Sequence, residues 1–364
     1  MKKVLLTITS LRGGGAERVV SVWSKQLKEK GYDVSILVCE RFDGEYKIAE
    51  GIEVFSIAKP GEKFGDISLF KRLKLFRKII KEHKPDAVIN FLPKMQMWMM
   101  LATMGKKVRK IETIRISPWH ANSSKLNKFL WHRCFRKSNA VILQTAEQGE
   151  YFSKKIQKKC HVVYNPISKQ CIDNPKTEYK QPINFVGVGR ITEQKNFPLM
   201  INSFKIALDK FPQIKLFIYG EGSDEYNSKL ISLINENNLS ENVFLMGRTN
   251  DVTNVLKNAD AFLMSSDFEG LPNSLIEAMC VGLPCVSTDC RTGPKDLIDD
   301  GINGYLAKVG DENDFASKII NILEKDVASL SDMGRKAREK VLDLCGEERS
   351  LNQLIKVIEG NNNA

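Results

Sequence analysis

No stretch of the 364-residue chain carries the roughly eighteen consecutive apolar residues that a membrane-spanning helix needs. The most apolar internal run, Met95 to Met104, is about half that length and follows Pro93, so it reads as a core helix. The opening MKKVLLTITSL imitates a secretory leader, but its apolar run stops at Arg12 and GGGAER follows without a small-residue cleavage site. It is expected to form a first strand, in a protein that neither spans a membrane nor leaves the cytosol. Metal-ligand spacing is missing as well. The eight cysteines (Cys39, Cys134, Cys160, Cys171, Cys280, Cys285, Cys290 and Cys345) form no CxxC pair and have no His at ligand spacing. They read as reduced thiols, four of them small core residues in apolar runs. Short-period repeats and low-complexity tracts are absent apart from the tail NNNA. There is also no strip of interleaved aromatic and basic residues, which argues against a nucleic-acid partner despite the basic charge.

What the chain has is apolar content of 42% over a length suited to two domains. Its net charge of +11 is unevenly spread, with about 36 Lys and Arg against 17 Asp and Glu up to residue 180, and about 19 against 27 beyond. A basic first half should face something anionic; nucleic acid, acidic headgroups and a lipid diphosphate all qualify on charge alone.

Short β-branched runs alternate with helical periodicity, the pattern of parallel sheets covered by helices. Strands are expected at Lys3 to Thr9, Asp33 to Val38, Val54 to Ile57, Ala87 to Asn90, Lys110 to Ile114, Ala140 to Leu143 and His161 to Val163. The alternation pauses in a Pro-containing stretch from Asn165 to Pro182, read as a linker, and resumes. The second series is Ile183 to Val188, Lys215 to Tyr219, Val243 to Met246, Ala261 to Met264 and Cys285 to Thr288. The expected fold class is α/β, two Rossmann-like doubly wound domains (1–170 and 181–345) with a cleft between them. Ligands of such sheets bind beyond the carboxyl ends of the strands.

Three segments offer chemistry at such ends. In SLRGGGAER, Gly13, Gly14 and Gly15 precede a helix with Val19, Val22, Trp23 and Leu27 at apolar spacing, and its amino end favours an anion. The spacing is not GxGxxG, which counts against a dehydrogenase. In NFVGVGRITEQKN, Arg190 and Lys195 follow a strand, where two cations would meet a diphosphate. In SSDFEGLPNSLIEAMC, Glu269 precedes a helix expected to begin at Pro272, and Glu277 lies inside it, eight residues or about 12 Å further on at helical rise. The amides of Asn273 and Ser274 open that helix toward an anion.

The combination of GGGAE, VGRITEQKN, IYGEGSDE, VFLMGR, the Glu269 and Glu277 pair and STDCRTGPKDLI resembles the retaining glycosyltransferases of family four, which have the GT-B fold. The resemblance implies that Arg190, Lys195 and Glu269 carry the chemistry: Arg190 and Lys195 neutralise the diphosphate of a nucleotide sugar, and Glu269 contacts the transferred sugar. It further implies that Glu277 binds the ribose, that Gly14 and Gly15 close on the phosphates, and that Gly247 and Arg248 contact the base. A final helix (347–360), with Leu351, Leu354, Ile355 and Ile358 at helical spacing, should return to the first domain. Many relatives place a His near the reacting sugar; the run ETIRISPWH offers Arg115 in the aligned place and His120 five residues later, and either can take that role. Neither a cofactor nor a metal is implied, and no Asp-x-Asp triplet occurs to hold one.

The acceptor side rests on the segment Asp66 to Lys84, where Leu69, Leu73, Phe76 and Ile80 fall at helical spacing with Lys71, Lys74, Lys78 and Lys81 among the opposite positions. A basic amphipathic helix suits an anionic membrane surface and a polyprenyl diphosphate-linked glycan. Resemblance to transferases of O-antigen, capsule and lipid-linked oligosaccharide assembly, with UDP as the favoured nucleotide, points the same way. A nucleotide-sugar epimerase of the same fold and a basic nucleic-acid module stand as the alternatives.

Overall fold

The computed structural model describes residues 1–120 and 125–360 and divides the chain into two units, Met1–Pro166 with Glu347–Ala364, and Ile167–Gly346. In unit 1, β1 (Lys3–Ile8), β2 (Asp33–Val38), β3 (Glu53–Ser56), β4 (Ala87–Asn90), β5 (Arg109–Thr113), β6 (Ala140–Leu143) and β7 (Cys160–Val162) form one sheet, ordered β3-β2-β1-β4-β5-β6-β7. Every pairing in it is parallel. In unit 2, β8 (Asn184–Val188), β9 (Lys215–Tyr219), β10 (Val243–Gly247), β11 (Ala261–Met264), β12 (Cys285–Thr288) and β13 (Tyr305–Ala307) are ordered β10-β9-β8-β11-β12-β13, again all parallel.

Parallel strands need helical crossovers, and helices on both faces demand strands that are apolar on both faces. The inner strands meet that demand. All four residues of β4, β6, β11 and β12 are buried, whereas the edge strand β3 is only partly covered. On one face of unit 1, Leu6 and Ile8 of β1 pack with Trp23 and Leu27 of the Gly15–Glu29 helix and with Leu354 and Ile358 of the Glu347–Glu359 helix. On the other, Leu5 packs with Phe76, Ile80, Met95 and Met99. The C-terminal helix is thus part of the unit 1 core, and truncating Leu354 to Ala there costs about 2–5 kcal/mol.

Three local expectations need correction. Val20, not Val22, joins Val19, Trp23 and Leu27 in the buried stripe of the Gly15–Glu29 helix, and Val22 is only partly covered at its margin. The Leu69–His83 helix buries Phe76 and Ile80 but leaves Leu69 at 65% and Phe70 at 90% exposure in its first turn. The short strand β13 was not anticipated. The Pro-containing stretch 167–182 runs along unit 2: Lys169–Asp173 is helical, Lys176 N donates to Val281 O at 2.7 Å and the Tyr179 hydroxyl donates to Gly282 O at 2.8 Å.

Candidate active site

In each sheet the strand order reverses once, between β1 and β4 in unit 1 and between β8 and β11 in unit 2. Loops on the two sides of such a reversal part in opposite directions and leave a crevice beyond the carboxyl ends of the strands. In unit 2 the crevice is flanked by the loop after β8, which carries Arg190 and Lys195, and by the loop after β11, which carries Glu269.

The β8 loop is held by its neighbour. Gly189 N donates to Tyr219 O at 3.0 Å and Ile191 N to Glu221 O at 2.9 Å. This approach is so close that a Cβ on Gly220 would stand 1.9 Å from the Gly189 carbonyl oxygen, which is why the IYGEGSDE motif has glycine there. The loop then makes a 3₁₀ turn over Glu193–Lys195 and ends at Asn196, in the left-handed region at φ 42°. Its side chain caps the Phe197–Lys210 helix by accepting from Leu199 N.

Across the crevice, Lys195 Nζ donates to Glu269 Oε1 at 2.6 Å, and both side chains are largely buried, at 16% and 10% exposure. The two loops are stitched on either side of this ion pair. Gln194 Nε2 donates to Phe268 O, Asn196 Nδ2 to Asp267 Oδ1 and Ser265 Oγ to Lys195 O, each at 2.8 Å. Thr292 Oγ1 donates to Glu269 O, fixing the backbone under the carboxylate. Burial, with the nearby Glu269 carboxylate adding to it, raises the pKa of the Cys290 thiol beneath. Gly293, at φ 98°, brings the STDCRTGPKDLI loop against the helix start: a Cβ there would stand 2.7 Å from both Gly270 O and Pro272 Cδ.

The helix itself runs Asn273–Val281, one residue later than expected, because Pro272 is extended at ψ 111° and acts as its cap. Asn273 and Ser274 are half-buried at its amino end and Glu277 is buried in its body. Arg190 is exposed, lining a surface pocket of about 360 Å³ with Thr192, Glu193, Tyr226 and Lys229. Gly247 and the exposed Arg248 close β10, where Gly220 N donates to Gly247 O at 2.9 Å. The structure therefore joins Lys195 to Glu269 and leaves Arg190 and Arg248 as exposed cations at the ends of β8 and β10, two strands with β9 between them.

Unit 1 presents a different edge. Gly14 is extended and caps the helix that Gly15 begins. Arg115 does not present a free guanidinium: its Cζ lies 4.5 Å from the Trp23 ring centroid and 4.7 Å from that of Phe91, and Nη1 donates to Asn165 Oδ1 at 2.9 Å. Burial holds this guanidinium well below the usual arginine range, at about 9. His120 is exposed, its Nδ1 3.1 Å from Ser117 Oγ, at the end of the described segment before residue 125. Beneath them runs a buried polar chain in which Thr7 Oγ1 donates to Asn90 Oδ1 at 2.9 Å and Asn90 Nδ2 to Glu112 Oε1 at 3.0 Å.

Sequence reasoning missed the residues that brace the Lys195 and Glu269 pair. Asn196 was legible as a helix cap followed by Pro198. Gln194, Ser265, Asp267 and Thr292 were not, since each acts through a partner about 70 residues away or, for Thr292, about 20.

Two parallel Rossmann-like units with charged loops at their switch points define a class of nucleotide-handling α/β enzymes. Comparison with known proteins gives the family. Residues 168–340 match the model described as Glycosyl transferases group 1, and residues 13–170 match Glycosyltransferase Family 4. An uncharacterised glycosyltransferase of Methanocaldococcus jannaschii is 32% identical over 70% of this chain and 68% of its own. The N-acetylgalactosamine-N,N'-diacetylbacillosaminyl-diphospho-undecaprenol 4-alpha-N-acetylgalactosaminyltransferase of Campylobacter jejuni is 30% identical over 90% of this chain and 91% of its own. A crystal structure of an S. aureus TarM variant in complex with fondaparinux, alpha-GlcNAc-glycerol and UDP superposes at TM-score 0.83, with 17% identity over 98% of this chain and 100% of that one. The chain belongs to the family 4 glycosyltransferases and has the GT-B fold.

Proposed function

We propose that the protein is a retaining, metal-independent transferase that takes a hexose or N-acetylhexosamine from a nucleoside diphosphate donor, UDP by preference, and passes it to a glycan carried on a polyprenyl diphosphate. The observation that carries this reading is the Lys195 and Glu269 constellation at the switch point of unit 2, beside the amino end of the Asn273–Val281 helix. Breaking the anomeric bond leaves negative charge on the diphosphate. Arg190, Lys195 and the amides of Asn273 and Ser274 supply fixed positive potential for it. Glu277 holds the ribose, Gly247 and Arg248 meet the base, and Glu269 accepts hydrogen bonds from hydroxyls of the transferred sugar. Retention then proceeds by substitution on the face from which the diphosphate leaves, with a donor phosphate oxygen taking the acceptor's proton; no protein nucleophile is required. The name of the TarM complex includes UDP, and that of the C. jejuni relative a diphospho-undecaprenol acceptor, which supports UDP and a lipid diphosphate here.

In unit 1, the Gly14 and Gly15 turn ahead of a helix is assigned to an anion, a phosphate of donor or acceptor. Of the two candidates near the sugar, His120 is the accessible one; Arg115, held between two rings, positions Asn165 and the strand ends. The first turn of the Leu69–His83 helix exposes Leu69 and Phe70 next to Lys71 and Lys74, a pattern suited to an anionic membrane surface and hence to the inner face of the cell membrane. Among the described residues no helix is long and apolar enough to cross a membrane.

The test is incubation of the purified chain with a panel of UDP-sugars and a short polyprenyl diphosphate-linked glycan, the product linkage being read by NMR. Transfer with the anomeric configuration of the donor is expected. An inverted linkage removes the retaining mechanism, and a rearranged or free sugar formed without acceptor replaces the transferase by an epimerase.

A further inference from the structure

The one lysine expected to grip the donor diphosphate is already occupied by a side chain of the same site. Lys195 Nζ sits 2.6 Å from Glu269 Oε1, both largely out of water. A diphosphate bound to that ammonium would bring its own negative charge against the Glu269 carboxylate, and at partial burial two like charges at contact distance repel strongly. The ammonium has three N–H donors, but holding both anions on it keeps their charges a few ångströms apart in a partly buried site, so the diphosphate and Glu269 compete for Lys195. The backbone of each loop is independently fixed, by Gln194 to Phe268 O, by Ser265 to Lys195 O and by Thr292 to Glu269 O. Only the two side chains are therefore at liberty to exchange partners.

Resting on the donor-site reading above, we propose that Glu269 is the resting counter-ion of Lys195, and that donor binding is an exchange in which the diphosphate displaces this carboxylate and frees it for the sugar. An intact nucleotide sugar offers Glu269 new donors, the sugar hydroxyls, in return for the lost ammonium. A nucleoside diphosphate without sugar offers none, so the displaced carboxylate is left partly buried beside a polyanion. The pair thus discriminates against the bare diphosphate. After transfer, with the sugar gone, Glu269 reclaims Lys195 and weakens the hold on the product, so one residue serves donor selection and product release.

Titration calorimetry on the full chain tests this, with UDP, GDP, ADP and inorganic pyrophosphate as probes and UDP-N-acetylglucosamine, UDP-N-acetylgalactosamine and UDP-galactose as donors. Glu269→Gln should bind the preferred nucleoside diphosphate about tenfold more tightly than the wild type, while losing affinity for the intact donor relative to that diphosphate. Asp267→Asn is the control for a general change of field: it removes a charge from the same loop, keeps an acceptor for Asn196, and should alter diphosphate affinity by less than about twofold. Glu269→Ala takes the place of the Gln variant if a thermal melt shows the latter unfolded. The exchange is refuted if the wild type binds a diphosphate and the Glu269 variants bind it no better, or if Asp267→Asn tightens binding equally. If no probe or donor binds the wild type, or if Lys195→Met binds as the wild type does, the donor-site reading itself is wrong and the exchange goes with it.

Discussion

Glu112 of β5 accepts a hydrogen bond from Asn90 of β4 at 3.0 Å in the sealed interior of unit 1, and no cation pairs with it among the described residues. Burial pushes its carboxyl up to about 8, only partly offset by Asn90 and by Lys110. The acid is therefore protonated in the folded protein and ionised in the unfolded chain from the ordinary carboxylate range, near 4.5, up to about 8. Its contribution to stability is complete below the lower value and is lost as pH rises through the higher one, up to about 5 kcal/mol in all. Thermal melts of the wild type should lose stability between pH 5 and 8 that Glu112→Gln retains. Parallel pH profiles for the two proteins would contradict the burial argument.

The brace at Asn196 combines a helix cap, a hydrogen bond to Asp267 at 2.8 Å and a left-handed backbone. Asn196→Ala removes both side-chain contacts and strains the backbone, and should destabilise unit 2 by about 1–3 kcal/mol in urea. Asn196→Gly removes the contacts without the strain and should cost less. Equal losses for the two would show that the conformation at 196 is not strained for alanine.

Transfer should persist in excess EDTA, because Arg190, Lys195 and the helix-start amides take the place of a cation at the leaving diphosphate. Complete loss of activity that magnesium restores would show that a metal shares that task.

Membrane attachment is assigned to the exposed start of the Leu69–His83 helix. Replacing Leu69 and Phe70 with Ser, together with Lys71, Lys74, Lys78 and Lys81 with Gln, should weaken sedimentation with acidic liposomes and leave donor binding unchanged. Undiminished sedimentation would mean that another surface docks, or none.

How much of this was legible beforehand depends on distance along the chain. Twelve of the thirteen strands lie where apolar runs put them, since a strand buried on both faces is written as a continuous local run. β13 escaped because its apolar run Tyr305–Ala307 stops at Lys308, whereas the equally short β7 continues into Val163 and Tyr164. The Glu269 and Glu277 motif was visible because a helix start between two acids is a local pattern. That Lys195 would be found on Glu269, and Arg115 between Trp23 and Phe91, was not visible, because each contact joins segments tens of residues apart. The exposure of Leu69 was hidden for a related reason: periodicity gives a helix an apolar face but not how much of that face other segments cover.

Glu277 offers the sharpest kinetic test of the donor site. It is buried in the body of the helix whose amino end faces the proposed diphosphate, and its proposed ribose contact lies remote from the bond that breaks. Such a contact is as strong in the bound substrate as in the transition state, so its loss should appear in KM and not in kcat. Glu277→Gln keeps the volume and one acceptor oxygen but removes the charge, weakening a charge-assisted hydrogen bond worth about 1.5–3 kcal/mol. Donor KM should therefore rise about tenfold or more with kcat changed by less than about threefold, in steady-state kinetics with donor varied at saturating acceptor. The same variant should melt within a few degrees of the wild type, which separates a lost contact from a lost fold. A fall in kcat at unchanged KM would place Glu277 at the reacting sugar instead, and wild-type kinetics would remove it from the donor site.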